Sequence, residues 1–228
     1  SQRPLLNEGY HEFVETLHQD HGVEVLDLVP LLGELHAQGD PLFLEGDSHW
    51  TPEAMSHIAR LVAKETAVQP PGDPCQTVER TLSASGNLTR LLGRNRKETI
   101  ASSMVLGHNE EIWKPSREAP YLLLGDSFAN IYSLDEMGWG KGAGLAERLC
   151  LEMSAPVDRI TRNTDGAFAS REDLLRDPGR LASKSVVVWQ FAMRELSFGN
   201  WKILDLPRAG LTPRPPIETA PQQLEGTI

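Results

Sequence analysis

The segment Tyr121-Leu122-Leu123-Leu124-Gly125-Asp126-Ser127-Phe128 runs four apolar or aromatic residues into an abrupt Gly-Asp-Ser. Such a run fits a buried parallel strand that enters a tight turn and leaves the Ser127 hydroxyl exposed there. A serine so placed is a candidate nucleophile, and it needs a base. Far upstream, Gly46-Asp47-Ser48-His49-Trp50 supplies one, with an acid and an imidazole two residues apart. Ser127, His49 and Asp47 can then act as nucleophile, general base and the carboxylate that fixes the imidazole tautomer.

Moving outward, the same strand pattern recurs downstream in Ser185-Val186-Val187-Val188-Trp189-Gln190-Phe191, and more briefly over residues 157–161. Residues 171–181 read as a helix and 201–206 as a last edge strand. Between Ser127 and these strands, Gly138-Trp139-Gly140-Lys141-Gly142-Ala143-Gly144 leads into a helical pattern at Leu145, Leu149 and Met153. This Gly-rich run lacks the Walker ending and the dinucleotide spacing, so it reads as a mobile loop.

Upstream, apolar positions at Tyr10, Phe13, Val14 and Leu17 predict a helix over residues 7–21, ended by Gly22. Residues 23–29 alternate and are rich in β-branched side chains, which predicts a strand closed by Pro30; a short helix over 31–38 follows. After the brief apolar run Leu42-Phe43-Leu44 and the Asp47/His49 loop, Thr51-Pro52-Glu53 is a strong helix start, with Met55, Ile58, Leu61 and Val62 as its buried stripe. Both candidate blocks thus follow short strands and are expected at the carboxyl ends of strands in one α/β sheet. Residues 69–118 read as an irregular insertion, placed where a lid could lie, in a single domain spanning 1–207; residues 208–228 read as a Pro-rich tail.

The 228 residues carry a formal net charge of -10, which argues against nucleic acid as a partner. A polyanionic substrate would need locally clustered basic residues. No apolar run is long enough to span a bilayer, so the chain is not expected to be transmembrane itself. Cys75 and Cys150 fit no metal-ligand spacing and are either one disulfide or two thiols.

Gly125-Asp126-Ser127-Phe128 resembles the nucleophile block of the SGNH/GDSL hydrolase superfamily. Asp47-Ser48-His49-Trp50-Thr51 resembles the Asp-x-His-Trp block of the SGNH-like acetyltransferases that modify alginate and related exopolysaccharides. In ordinary SGNH hydrolases Asp and His follow the serine, whereas here they precede it, as in the alginate O-acetyltransferase group, which is similar to a circularly permuted SGNH domain. Trp189-Gln190 and Arg194 also resemble that group's Trp-Glu...Arg segment, with Gln in place of Glu.

The resemblance implies a three-layer α/β sandwich with a mainly parallel central sheet and a permuted order of catalytic blocks. It implies a serine acyltransferase outside the cytoplasm, needing no cofactor and no metal. Acetyl would pass to a polysaccharide acceptor from a donor relayed by a membrane-bound acyltransferase; an acetylesterase of the same fold is the alternative. Trp50, Asn130 and Arg194 are the candidate substrate-binding residues, and Asn163 is a second candidate oxyanion donor beside Asn130. Trp50 and Trp139 either stack on sugar rings or pack in the core. Two more distant readings are a non-catalytic glycan-binding protein and a metal-dependent phosphoesterase, the latter suggested by Asp47-x-His49 and Gly107-His108-Asn109-Glu110.

Overall fold

The computed structural model describes residues 9–66, 75–107 and 110–205. They fall into two compact units, a small one over the described residues up to Val29 and a large one beginning at Pro30. In the small unit, α1 (Tyr10–His21) ends at Gly22 in the left-handed conformation, as its sequence predicts. The strand expected over 23–29 does not form. Instead the Asp27 carboxylate accepts the Val29 N–H at 2.9 Å and starts α2 (Val29–Gln38), in whose first turn Pro30 fits because no donor is required there.

The sheet of the large unit has the order β4-β3-β5, all parallel, from β3 (Tyr121–Gly125), β4 (Val157–Thr161) and β5 (Val186–Trp189). All five residues of β3 are buried, which explains its unbroken apolar run. Alternation then assigns the faces. Leu122 and Leu124 join Ile160, Leu181 and Leu174 of α7 (Ala169–Arg176) in one core, with Trp189 against it. Across the sheet, Arg159, which lies beside Leu123, pairs with Glu147 of α6 (Leu145–Met153) at 3.0 Å. The long helix α3 (Pro52–Thr66) packs against α6 on that side, giving helices on both faces of a parallel sheet.

Three further expectations are corrected. Residues 42–44 make only a single antiparallel bridge, Phe43 to Trp50, because the run is too short to join the sheet. The helix expected over 171–181 stops at Arg176, since Pro178 disfavours helical backbone at Asp177, and a 3-10 turn (Pro178–Ser183) follows. Residues 201–205 form no strand; Trp201 instead packs its ring against Trp189 and Phe191. Leu206 and the Pro-rich tail lie outside the described residues.

The stretch read as irregular contains a regular antiparallel pair, β1 (Gln76–Ala84) with β2 (Glu98–Leu106), joined through α4 (Asn87–Leu91). The Gly-rich loop, read as a mobile one, is packed against β1 and the core. Gly140 and Gly142 have positive φ, and a Cβ on Gly140 would come within 2.9 Å of Leu82 of β1.

Candidate active site

Ser127 stands one residue beyond Asp126, which caps the short helix α5 (Ser127–Asn130) at the carboxyl end of β3. The Asp126 carboxylate accepts the Phe128 N–H at 2.8 Å and the Ala192 N–H at 2.9 Å, and the Asp126 N–H donates to Gln190 Oε1 at 3.2 Å. Gln190 therefore braces the nucleophile turn as an acceptor, a task that its amide oxygen performs as a carboxylate oxygen would.

The Asp47/His49 block arrives differently. Leu44 N–H donates to His49 O and Thr51 N–H to Leu42 O, both at 3.0 Å, so residues 45–48 form the tip of a narrow excursion. Thr51 Oγ1 then accepts the Ala54 N–H at 3.2 Å and caps α3 behind the imidazole. Only Ser127 lies at the carboxyl end of a sheet strand; His49 comes from a helix start.

The two blocks meet. Asp47 Oδ1 is 2.6 Å from His49 Nδ1, and His49 Nε2 is 2.9 Å from Ser127 Oγ. The first bond fixes the imidazole with Nδ1–H toward Asp47, which leaves Nε2 to accept from the serine hydroxyl. Phe128 packs its ring 4.8 Å from that of His49 and 5.3 Å from that of Trp50, limiting rotation of the imidazole.

Asp47 is buried, and burial by itself would raise its pKa. Hydrogen bonds from His49, from Trp139 Nε1 at 3.0 Å and from the Asn87 N–H at 2.9 Å outweigh it and hold the carboxyl at about 2. Both donors to Oδ2 come from segments that the sequence did not connect to Asp47. Asn87 also grips the next residue, accepting the Ser48 N–H at 3.0 Å and donating to Ser48 Oγ at 2.8 Å. Glu98 of β2 accepts the N–H groups of Glu45 and Gly46, each at 3.1 Å, and Thr89 N–H donates to Gly46 O at 3.0 Å. The β1–α4–β2 element is thus a clasp on the Asp47 loop. Gly86 permits that approach, since a Cβ there would lie 2.2 Å from Gly46 O.

The other predicted site residues are placed less simply. Trp50 and Trp139 are 6% and 1% exposed, so neither ring face is open for a sugar; Trp50 packs on Phe128 and Trp139 donates to Asp47. Trp50 O accepts from Tyr132 Oη at 2.6 Å, while its own indole N–H is buried with no partner among the described residues. Asn130 is buried and committed within the protein, donating to Asn163 Oδ1 at 2.8 Å and accepting from Thr161 Oγ1 at 2.9 Å. Asn163 thereby stands beyond the carboxyl end of β4, next to the nucleophile turn. Arg194 is half-exposed, with a weak ion pair to Glu195 at 3.7 Å, and no contact joins it to the three central residues.

Among the described residues no group of three or more His, Cys, Asp or Glu side chains could hold a metal ion, and no helix is long and apolar enough to cross a membrane. His108 and Asn109, on which the phosphoesterase reading leaned, lie outside the described residues.

No curated protein matches the sequence. Among solved structures, the chain is similar to the O-acetyltransferase domain of Pseudomonas putida AlgJ, with a TM-score of 0.61 and 20% identity over 87% of this chain and 70% of that one. It is also similar to Pseudomonas aeruginosa AlgX, with a TM-score of 0.54 and 20% identity over 81% of this chain and 43% of that one. Residues 1–193 match the family described as the SGNH hydrolase-like domain of the acetyltransferase AlgX. The Asp-His block that precedes its serine in the chain is therefore carried on the expected scaffold, and the chain belongs to the ALGX family of SGNH hydrolase-like acetyltransferase domains.

Proposed function

We propose that this domain transfers acetyl groups through Ser127 to hydroxyls of an exopolysaccharide, with alginate-type polyuronates as the acceptor class. The observation that carries this reading is the unbroken chain from Asp47 through His49 to Ser127 Oγ, with contacts of 2.6 and 2.9 Å. Ser127 Oγ attacks the donor carbonyl as its proton passes to His49 Nε2, and the imidazolium then gives that proton to the leaving group. The Ser127 backbone N–H, at the start of α5, helps hold the oxyanion; one such donor is typically worth about 3–4 kcal/mol of barrier. In the second half His49 takes a proton from an acceptor hydroxyl as its oxygen attacks the acetyl-serine; the bond to Ser127 Oγ then breaks, and the imidazolium returns the proton to that oxygen. Asp47 stays ionised throughout and stabilises the imidazolium.

The polyuronate part rests on charge. In a chain of net charge -10, Arg90, Arg94, Arg96 and Lys97 cluster at the exposed end of the clasp. Arg96 pairs with Glu45, while Arg90, Arg94 and Lys97 have no acidic partner among the described residues. Uronate carboxylates would find a local positive field there. The acetyl donor is supplied outside the cytoplasm, relayed by a membrane-bound acyltransferase.

The test is acetyl release from a chromogenic acetyl ester, with and without oligouronate acceptors, in the native chain and in Ser127→Ala and His49→Ala. Transfer to acceptor that both variants abolish is expected. Release unaffected by acceptor would make the enzyme an esterase, and equal background in all three proteins would sink the catalytic assignment.

A further inference from the structure

Two thiols outside the site face one another in the large unit. Cys75 directly precedes β1 and is half-buried, whereas Cys150 is buried on α6. Their Sγ atoms are 2.8 Å apart. That is about 0.8 Å longer than the covalent S–S bond of about 2.05 Å. Their places in the fold make the contact consequential. Cys75 sits at the root of the clasp, whose other end holds Asp47 through Asn87 and the 45–46 backbone through Glu98. Cys150 belongs to the helix that packs on α3 behind His49.

We propose that Cys75 and Cys150 form an intramolecular disulfide that fastens the root of the clasp to α6 and so keeps the Asp47/His49 loop in register with Ser127. The proposal rests on the extracytoplasmic reading above, since such bonds persist in oxidising compartments. The chemistry is thiol–disulfide exchange with an oxidising disulfide, either a small molecule or an oxidoreductase. Cys75 Sγ, as thiolate, bonds to one sulfur of the oxidant and displaces the other as a thiolate. Cys150 Sγ then displaces the first sulfur, and the oxidant leaves reduced by two electrons and carrying both thiol protons.

Cys75 suits the attacking role. It is the more accessible thiol, and its hydrogen bond to Cys150 lowers its pKa, while the same bond and burial raise that of Cys150. Because the two residues are 75 apart in sequence, the bond would close a long loop and remove much disorder from the unfolded chain.

The test compares the purified native chain after oxidised glutathione and after dithiothreitol, by alkylation under denaturing conditions with intact-mass analysis, thermal unfolding and amide hydrogen exchange. The oxidised protein is expected to resist alkylation at both cysteines, to be lighter by two hydrogens and to melt higher by on the order of 10 °C. Exchange at Gln76–Val78 should slow on oxidation while β3 is unchanged. Cys75→Ser should lose the response to oxidant yet remain folded. Persistent alkylation of both thiols, or only glutathione adducts or linked dimers, would overturn the pairing. A bond that forms without changing melting or exchange would overturn the fastening role. Thiols that close in vitro but are alkylated in protein taken directly from cells would leave the pairing standing and overturn the proposed compartment.

Discussion

Asp47 and Asp158 are both buried carboxylates, 3% and 0% exposed, and both are held below the usual carboxyl range against the opposing effect of burial. Their partners differ. Asp158, level with Leu122 in the sheet register, accepts from Arg180 Nε at 2.7 Å and lies 3.1 Å from Lys184 Nζ, so an arginine and a lysine neutralise it. Lys184 also donates to Ala119 O at 2.8 Å, tying the strand to the chain that enters β3. Asp47 has no such counter-ion among the described residues. Two neutral donors, an indole and a backbone amide, satisfy one oxygen and leave the other for His49. A carboxylate bonded to neutral groups keeps its charge for the imidazolium that forms beside it, whereas one bonded to arginine and lysine has already used it. This contrast sets a structural acid apart from the acid of the proposed triad.

The contrast breaks most visibly by substitution at the two positions. Asp47→Asn should lower kcat by about 10⁴-fold, some 5–6 kcal/mol of barrier, by reversing the tautomer at His49. Its far-ultraviolet circular dichroism should remain native. Asp158→Asn should do the reverse, costing about 3–5 kcal/mol in denaturant unfolding because two cations lose their partner, with kcat per folded molecule nearly unchanged. A large loss of kcat in the Asp158 variant at full stability would erase the distinction.

Acid sharpens it. The folded pKa of Asp47, about 2, lies below its ordinary value, so ionisation favours the folded state and the contribution is complete above that ordinary value. It disappears as pH falls toward the folded pKa. The difference in unfolding free energy between the native chain and Asp47→Asn should therefore narrow by about 2 kcal/mol between pH 6 and pH 2. A gap independent of pH would mean that Asp47 is not held in this way.

The smallest effect is expected from Trp139→Phe, which keeps the aromatic bulk and removes only the N–H at 3.0 Å from Asp47. A hydrogen bond to a charged group is worth about 1.5–3 kcal/mol, and because Asp47 keeps its Asn87 and His49 donors the loss should fall at the lower end, about 1.5 kcal/mol, seen both as reduced stability and as an upward shift of the acid midpoint. An unchanged acid midpoint would show that the indole N–H does not hold the carboxylate down.

The elements legible in the sequence are those whose signal is local. β3 and β5 announce themselves through apolar content, α3 through its Thr-Pro-Glu start, and the candidate residues Ser127, His49 and Asp47 through residue type and spacing. The clasp did not, for a physical reason. Six consecutive residues of β1, Gln76–Thr81, are exposed, so most of the strand has no core-facing stripe and its pairing with β2 is written in backbone register. The donors to Asp47 were hidden for a related reason. Asn87 contributes a main-chain N–H that any residue type could supply, 40 positions away, and Trp139 arrives 92 positions away on a loop whose glycines suggested mobility. Residues 23–29 show the opposite failure, where alternation without a partner strand gave way to an Asp27 turn.

The most direct test of the account is to quench the native chain during turnover of an acetyl ester and map the acetyl group by peptide mass analysis. The account predicts acetyl on Ser127, absent from Ser127→Ala and discharged on adding an oligouronate with acetyl recovered on the sugar. Turnover with no acetylated peptide, or with acetyl on another residue, would contradict it.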